Sequence, residues 1–84
     1  MAKKFFPKKS TLVDATREDH PTVVQYRVGF GTEEWLDGHF RDVYKVQMVY
    51  NGVVNGRQAP SYPPRTDDYD RVTEAMAALR REFG

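Results

Sequence analysis

The chain has 84 residues, of which 39% are hydrophobic, 30% are charged and 13% are aromatic, and it contains no cysteine. This length predicts one domain with one core, because so short a chain buries only about two-thirds of the surface that its unfolded form exposes. The composition is that of a globular protein rather than a disordered or fibrous one. The lack of cysteine excludes a disulfide framework, a thiolate metal site and a thiol nucleophile.

The charges are unevenly distributed along the sequence, although the formal net charge is only +1. Residues 1–10 carry four lysines and no acid, whereas residues 11–40 carry two arginines and six carboxylates. The pattern predicts a basic, flexible tail at residues 1–9 and a single α+β domain at residues 10–84, although a short edge element would also fit the first ten residues. No run is apolar enough for a transmembrane helix or a secretory signal, so we expect a cytoplasmic protein that does not bind membranes.

Two segments, residues 22–30 and 41–50, alternate between apolar and polar side chains. This period of two is typical of antiparallel strands that bury one face. The even-numbered residues form the apolar face of each predicted strand: Thr22, Val24, Tyr26, Val28 and Phe30 in the first, and Tyr44, Val46, Met48 and Tyr50 in the second.

The connection between these strands contains helix-capping residues. Thr32 suits a helix N-cap and Gly38 suits a helix end, so we expect one helical turn or a structured loop there. Trp35 would serve as its apolar anchor.

Two Asn-Gly pairs follow the second strand, and both suit tight hairpin turns. A two-residue turn at Asn51–Gly52 would place Val53 beside the apolar face of Tyr50, which is poor patterning. A wider loop over residues 51–56 would set Ala59 opposite Met48, which is better patterning. The sequence leaves this register, and the existence of a third strand, open.

Residues 67–83 are predicted to form the final helix. Thr66 can cap it, and the carboxylates of its first turn would complement the positive end of the helix dipole. Apolar residues recur at three- and four-residue spacing and define one stripe, which consists of Tyr69, Val72, Met76, Leu79 and Phe83.

These elements together predict an α+β fold, in which an antiparallel sheet of three to four strands packs one face against a single C-terminal helix. The predicted core consists of Val24, Tyr26, Val28, Phe30, Tyr44, Val46, Met48, Val72, Met76 and Leu79.

No motif in the sequence indicates catalysis. His20 and His39 are far apart and lack the spacing of metal ligands. The serines have no neighbouring histidine, and the acid cluster formed by Asp67, Asp68 and Asp70 is explained by its place at a helix start. We therefore expect no catalytic residue, no cofactor and no metal site.

Protein binding is the function that the sequence favours: a small accessory or regulatory protein, of the kind that phages and mobile elements encode, that contacts another protein. A small sheet with one helix leaves an open edge and face, through which a homodimer could also form. Apolar residues outside the predicted core are the candidate protein-binding residues: Phe5, Phe6, Val23, Trp35, Val43, Val49 and Tyr62.

The alternative is weak nucleic-acid binding through the basic tail and the polar face of the sheet. Arginine and lysine side chains on a sheet face can contact phosphates. The candidate residues are Lys3, Lys4, Lys8, Lys9, Arg27 and Lys45.

Overall fold

The computed structural model describes residues 2–16 and 23–84, apart from the side chains of Ala2 and Lys3. Four antiparallel strands form one sheet in chain order, and one helix follows them. They are β1 (Ala2–Asp14), β2 (Val24–Trp35), β3 (Phe40–Tyr50), β4 (Val53–Asn55) and α1 (Asp68–Phe83). The predicted α+β fold is therefore confirmed. In the described ranges, no helix is long and apolar enough to cross a membrane.

The two central strands pair without a break in register, from Val24 opposite Tyr50 to Glu34 opposite Phe40. Their side chains therefore alternate strictly between the two faces of the sheet. The even-numbered residues of both strands lie on the face that α1 covers, which we call the helix face. The odd-numbered residues lie on the other face, which we call the open face. Thr22, the first residue of the predicted strand, lies outside the described residues.

The core lies between the helix face and α1, as the alternation predicts. Val72 and Leu79 of the helix are buried against the even-numbered residues of β2 and against Met48. Tyr44, Val46 and Met76 are only partly buried and lie at the margin of the core.

The predicted helical stripe differs from the structure at its first turn. Tyr69 is 59% exposed, whereas its neighbour Asp68 is fully buried. Helix α1 has Asp67 rather than Thr66 at its N-cap, and the side chain of Asp67 makes no capping hydrogen bond. The helix rotation is therefore set by a buried carboxylate rather than by Tyr69.

Of the two structures predicted after the first strand, the helical turn is wrong and the structured loop is present, because β2 continues through Thr32 to Trp35. Residues 36–39 connect β2 to β3, and residues 36–38 form the loop between the bonded pair Trp35 and His39. The N–H of Trp35 donates to the carbonyl of His39 at 2.9 Å, and Gly38 has a φ of +82°. A three-residue hairpin loop requires this left-handed conformation at its last residue, which explains the glycine. Thr32 therefore caps no helix.

The two-residue turn at Asn51–Gly52 connects β3 to β4. Both residues have left-handed φ angles, 50° and 81°, as a type I′ turn requires. Met48 therefore lies opposite Asn55 rather than opposite Ala59. The placement of Val53 beside Tyr50, which is unfavourable in a long strand, matters little here because β4 ends after three residues.

The N-terminal segment forms a 13-residue edge strand, which corresponds to the edge element predicted from the sequence but is longer. It pairs with β2, with irregularities between Ala2 and Lys4 and between Pro7 and Lys9. Lysine and proline on an edge strand prevent unwanted pairing with other chains. The composition that predicts a tail is thus also the composition of a protected edge.

Helix α1 runs antiparallel to β1 and is fastened to it at both ends. Near the helix start, the guanidinium of Arg71 donates to the carbonyl of Asp14 at 2.7 Å. Near the helix end, the ammonium of Lys9 donates to the carboxylate of Glu82 at 2.6 Å. Because of this placement, one side of the helix follows the outer edge of the sheet.

Candidate functional site at the free edge of β1

The outer edge of β1 presents backbone groups that β2 does not use. The N–H of Ala15 donates to the carbonyl of Val24 at 3.0 Å. In an antiparallel pair, residues bonded in this way alternate with residues whose N–H and C=O are directed away from the partner strand. Counting back along the register, the outward residues are Asp14, Leu12 and Ser10.

This edge is blocked at both ends. At one end, the carbonyl of Asp14 accepts the hydrogen bond from Arg71. At the other end, the irregularity after Pro7 shifts the register so that Phe6 lies opposite Thr32. Phe6 therefore bonds to β2, and Pro7 is the next outward residue. Because proline has no N–H, it offers no donor to another strand.

Between the blocked ends lies an open segment, Ser10–Leu12, which we call the edge window. Its outward N–H and C=O groups, on Ser10 and Leu12, have no hydrogen-bond partner among the described residues. The side chain of Leu12 is 55% exposed. The window thus combines free backbone groups with an exposed apolar side chain.

A groove of about 480 Å³ lies between the edge window and α1. This volume is within the range of small-molecule and peptide pockets, about 300–1,000 Å³. The groove exists because the helix presents alanine toward β1, where larger side chains would fill the space. It is lined by Leu12, Val13 and Asp14 from β1 and by Arg71, Glu74, Ala75, Ala78 and Arg81 from α1.

The two ends of the groove differ in charge. At the end near Lys9, the cations Lys8 and Arg81 have no carboxylate partner in the described part of the chain. Lys8 instead lies over the ring of Phe30, with its Nζ 5.7 Å from the ring centroid. At the opposite end, the carboxylates of Asp14 and Glu74 have no cationic partner among the described residues. A ligand with a carboxylate would therefore be attracted to the Lys8 and Arg81 end.

A buried carboxylate holds the helix start in place beside this groove. Asp68 accepts hydrogen bonds from the N–H and hydroxyl of Thr16, at 2.9 and 2.6 Å, and from the hydroxyl of Tyr26 at 2.8 Å. Arg71 adds a bond of 2.8 Å. Burial alone would raise the pKa of Asp68, but these hydrogen bonds and the charge of Arg71 outweigh it and lower the pKa below its ordinary value.

Sequence reasoning missed this role of Asp68. From the sequence, the carboxylates of Asp67, Asp68 and Asp70 are explained by the helix dipole. In the structure, only Asp68 of these three is buried. One signal could have distinguished it: Asp68 is four residues before Val72 and therefore belongs to the apolar stripe of the helix.

Two of the predicted protein-binding residues belong to the interior instead. Val49 is only 2% exposed, so its side chain is not available to a partner. It lies on the open face between its cross-strand neighbours Gln25 and Val54. Tyr62 is half-buried and stacks on Tyr26 with a centroid distance of 5.2 Å. Burial raises the pKa of Tyr62, and the nearby Tyr69 of α1 raises it further.

The other predicted protein-binding residues are divided between the two faces of the sheet. Phe6 is 43% exposed on the helix side of the sheet, whereas Phe5 lies on the open face beneath Lys45. Trp35 is partly covered by the guanidinium of Arg41, 5.4 Å from the ring centroid. Val43 lies opposite Gly31 and therefore shares the open face with Phe5, whereas Val23 precedes β2.

The predicted nucleic-acid-binding residues are divided between the two faces. Lys4 and Lys9 lie opposite Glu34 and Phe30 on the helix face, and Lys8 reaches that face as well. Arg27 and Lys45 lie on the open face. The side chain of Lys3 lies outside the described part of the chain.

The basic residues of the open face are also partly neutralised. The ammonium of Lys45 lies 2.5 Å from the carboxylate of the largely buried Glu33. An ion pair of this kind reduces the attraction of Lys45 for a phosphate. Two of the six candidate cations, Lys9 and Lys45, are therefore paired with carboxylates.

No group of His, Asp and Glu among residues 2–16 and 23–84 could hold a metal ion. His39 lies in the hairpin loop, with its Nδ1 3.2 Å from the carboxylate of Asp37. Hydrogen bonds from the backbone of His39 and from Arg41 lower the pKa of Asp37 to about 2. His20, the other histidine, lies outside the described residues.

Comparisons with protein-family models, with curated proteins and with solved structures gave no match for this chain.

Proposed function

We propose that this protein is a small, non-catalytic, cytoplasmic accessory protein that binds another protein at the edge window and its groove. The observation that carries the proposal is the selective protection of β1. Pro7 and Arg71 block the two ends of an exposed edge, while the segment beside an unfilled groove stays open. Proteins block unused edges, so an open stretch beside a groove supports a binding role.

The chemistry of the groove supports binding rather than catalysis. Its titratable side chains are two arginines and two carboxylates. Arg71 is engaged by Asp67 at 3.0 Å and by Asp68 at 2.8 Å. No nucleophile with an adjacent base lies among the groove's lining residues, and such a pair is what acyl or phosphoryl transfer would require.

Nucleic-acid binding is the weaker alternative, because its candidate residues are divided between two faces. A protein that neutralises several phosphates needs its cations on one surface. We therefore expect only weak, non-specific binding of DNA or RNA, which moderate salt removes.

The experiment is site-specific photo-crosslinking in the native host. Benzoylphenylalanine replaces Leu12 in one version of the protein and Gln58, an exposed residue beyond β4, in the control version. The proposal predicts a discrete protein adduct from Leu12 only, unchanged by nuclease treatment. Nucleic-acid adducts, identical adducts from both positions, or no adduct from Leu12 would overturn it.

A further inference from the structure

We propose that the edge window binds an extended peptide of a partner protein as a fifth strand of the sheet, with a carboxylate of that peptide beside Arg81 and Lys8. This inference rests on the proposed function and names the chemistry of the partner.

The backbone of the edge window fits one added strand. Ser10 and Leu12 together offer two N–H donors and two C=O acceptors on the outer side of β1. A strand about 4.8 Å away could bond to all four. Main-chain bonds of this type supply affinity without requiring a particular peptide sequence.

The groove would select one side chain of the added strand. Every second side chain of that strand would lie on the helix side of the sheet, next to Ala75 and Ala78 of α1. Val13 forms the floor there, because it lies opposite Tyr26 on the helix face. An apolar side chain fits this space, and its neighbours in the peptide would lie beside Leu12.

The charges at one end of the groove favour an acidic side chain there. Arg81 is the groove-lining cation that no carboxylate of the described residues neutralises, because Arg71 is held by Asp67 and Asp68. Lys8, on the neighbouring part of β1, likewise has no carboxylate partner among the described residues. A peptide carboxylate at that end would form a charge-assisted hydrogen bond with Arg81.

A second copy of the chain is the competing occupant of the edge. In a symmetric antiparallel pair of β1 strands, the start of one helix would lie beside the end of the other, because α1 runs antiparallel to β1. Glu74 of each copy would then lie toward Arg81 of the other, while Arg71 stays paired with Asp67 and Asp68. Sedimentation therefore forms part of the test, because it distinguishes a second copy from a peptide.

The test begins with a displayed library of random eight-residue peptides, selected on the immobilised protein. The most enriched peptide is synthesised, labelled with fluorescein and titrated by fluorescence anisotropy. A second version carries N-methyl groups on alternate backbone nitrogens, which prevents strand pairing and leaves the side chains unchanged. We expect enriched peptides to combine acidic and apolar residues, and N-methylation to weaken binding by at least about tenfold.

Matched variants locate the binding site. Ser10→Pro removes an outward N–H in the way that Pro7 already does, so β1 should still pair with β2, and Ser10→Ala retains that N–H. Arg81→Glu reverses a charge in the groove, and Arg80→Glu makes the same change outside it. We expect Ser10→Pro and Arg81→Glu each to weaken binding by about tenfold, and their controls to change it by less than about twofold.

Three results would overturn the inference. The first is the enrichment of basic peptides or of none; the second is binding that neither N-methylation nor Arg81→Glu affects. The third is a dimer in sedimentation that Ser10→Pro converts to a monomer, which would identify a second copy as the occupant. If peptides fail while the Leu12 crosslink succeeds, the partner binds through a folded surface and the proposed function stands. If both fail, the proposed function fails as well.

Discussion

The hydroxyl of Tyr26, in the second strand, donates a hydrogen bond of 2.8 Å to the carboxylate of Asp68, in the first turn of the helix. Both side chains are fully buried. The same carboxylate also binds Thr16, just beyond the end of β1, so that one group connects two strands to the helix. Asp68 therefore fixes the position of the helix start relative to the edge of the sheet, which determines the shape of the groove.

Tyr26→Phe should lower the free energy of unfolding by about 1.5–3 kcal/mol, because it removes a hydrogen bond to a buried carboxylate. Tyr44→Phe is the matched control. The hydroxyl of Tyr44 is buried without a hydrogen-bond partner in the described ranges, so its removal should be neutral or stabilising. Urea denaturation of the three proteins measures the difference. Equal losses in the two variants would contradict the role of Asp68.

Acid should destabilise the protein partly through Asp68. Its pKa is lowered on folding, so its contribution to stability is complete above the ordinary value of 3.8 and is lost as the pH falls through the lowered value. We expect Asp68→Asn to be less stable at pH 7 and to lose less stability between about pH 5 and pH 2. Asp37, with a pKa of about 2, is present in both proteins and cancels in the comparison. Parallel stability curves would contradict this prediction.

Gly31 is needed because β1 passes directly over it. A Cβ at this position would lie 2.2 Å from the carbonyl oxygen of Phe6 and 2.7 Å from the Cα of Pro7. Both are backbone atoms, so β1 would have to move. At Gly29, by contrast, the nearest atom to such a Cβ is 3.5 Å away.

Gly31→Ala should therefore separate the first half of β1 from β2 and lower the melting temperature by several degrees, whereas Gly29→Ala should be tolerated. Thermal unfolding followed by circular dichroism compares the two variants. A Gly31→Ala protein as stable as the Gly29→Ala protein would show that β1 does not pair as described.

The central strands and the helix could be predicted because periodicity alone determines their buried faces. From Val24 to Phe30, each even-numbered residue is apolar and each is buried. The hairpin loop could not be predicted, since Thr32 and Gly38 suit a helix end and a three-residue hairpin loop equally well. Strand pairing, which joins residues distant in sequence, decides between these two structures.

The sequence leaves the choice between a tail and an edge strand open for a related reason, and the groove could not be predicted. Lysines and Pro7 are equally typical of a tail and of a protected edge strand. What distinguishes them is the close approach to Gly31, a contact between β1 and β2. The groove depends in turn on which alanines of α1 face β1, and this follows from the helix rotation that Asp68 sets.

Leu79→Ala should lower the free energy of unfolding by about 2–5 kcal/mol, because Leu79 is 3% exposed and its truncation leaves a cavity in the core. Arg80→Ala, at the next position on the exposed side of the helix, should change stability by less than about 0.5 kcal/mol. Chemical denaturation measures both. Similar small losses in the two variants would mean that the helix does not pack on the sheet as described.

The most direct test of the free edge of β1 is amide hydrogen exchange measured by NMR on the isolated protein. Pairing of β1 with β2 predicts alternation: the N–H groups of Thr11 and Val13, bonded to β2, exchange slowly, whereas those of Ser10 and Leu12, directed outward, exchange rapidly. Rapid exchange at all four positions would contradict the account, since it would mean a flexible tail. Slow exchange at all four would also contradict it, because the edge would then already be occupied.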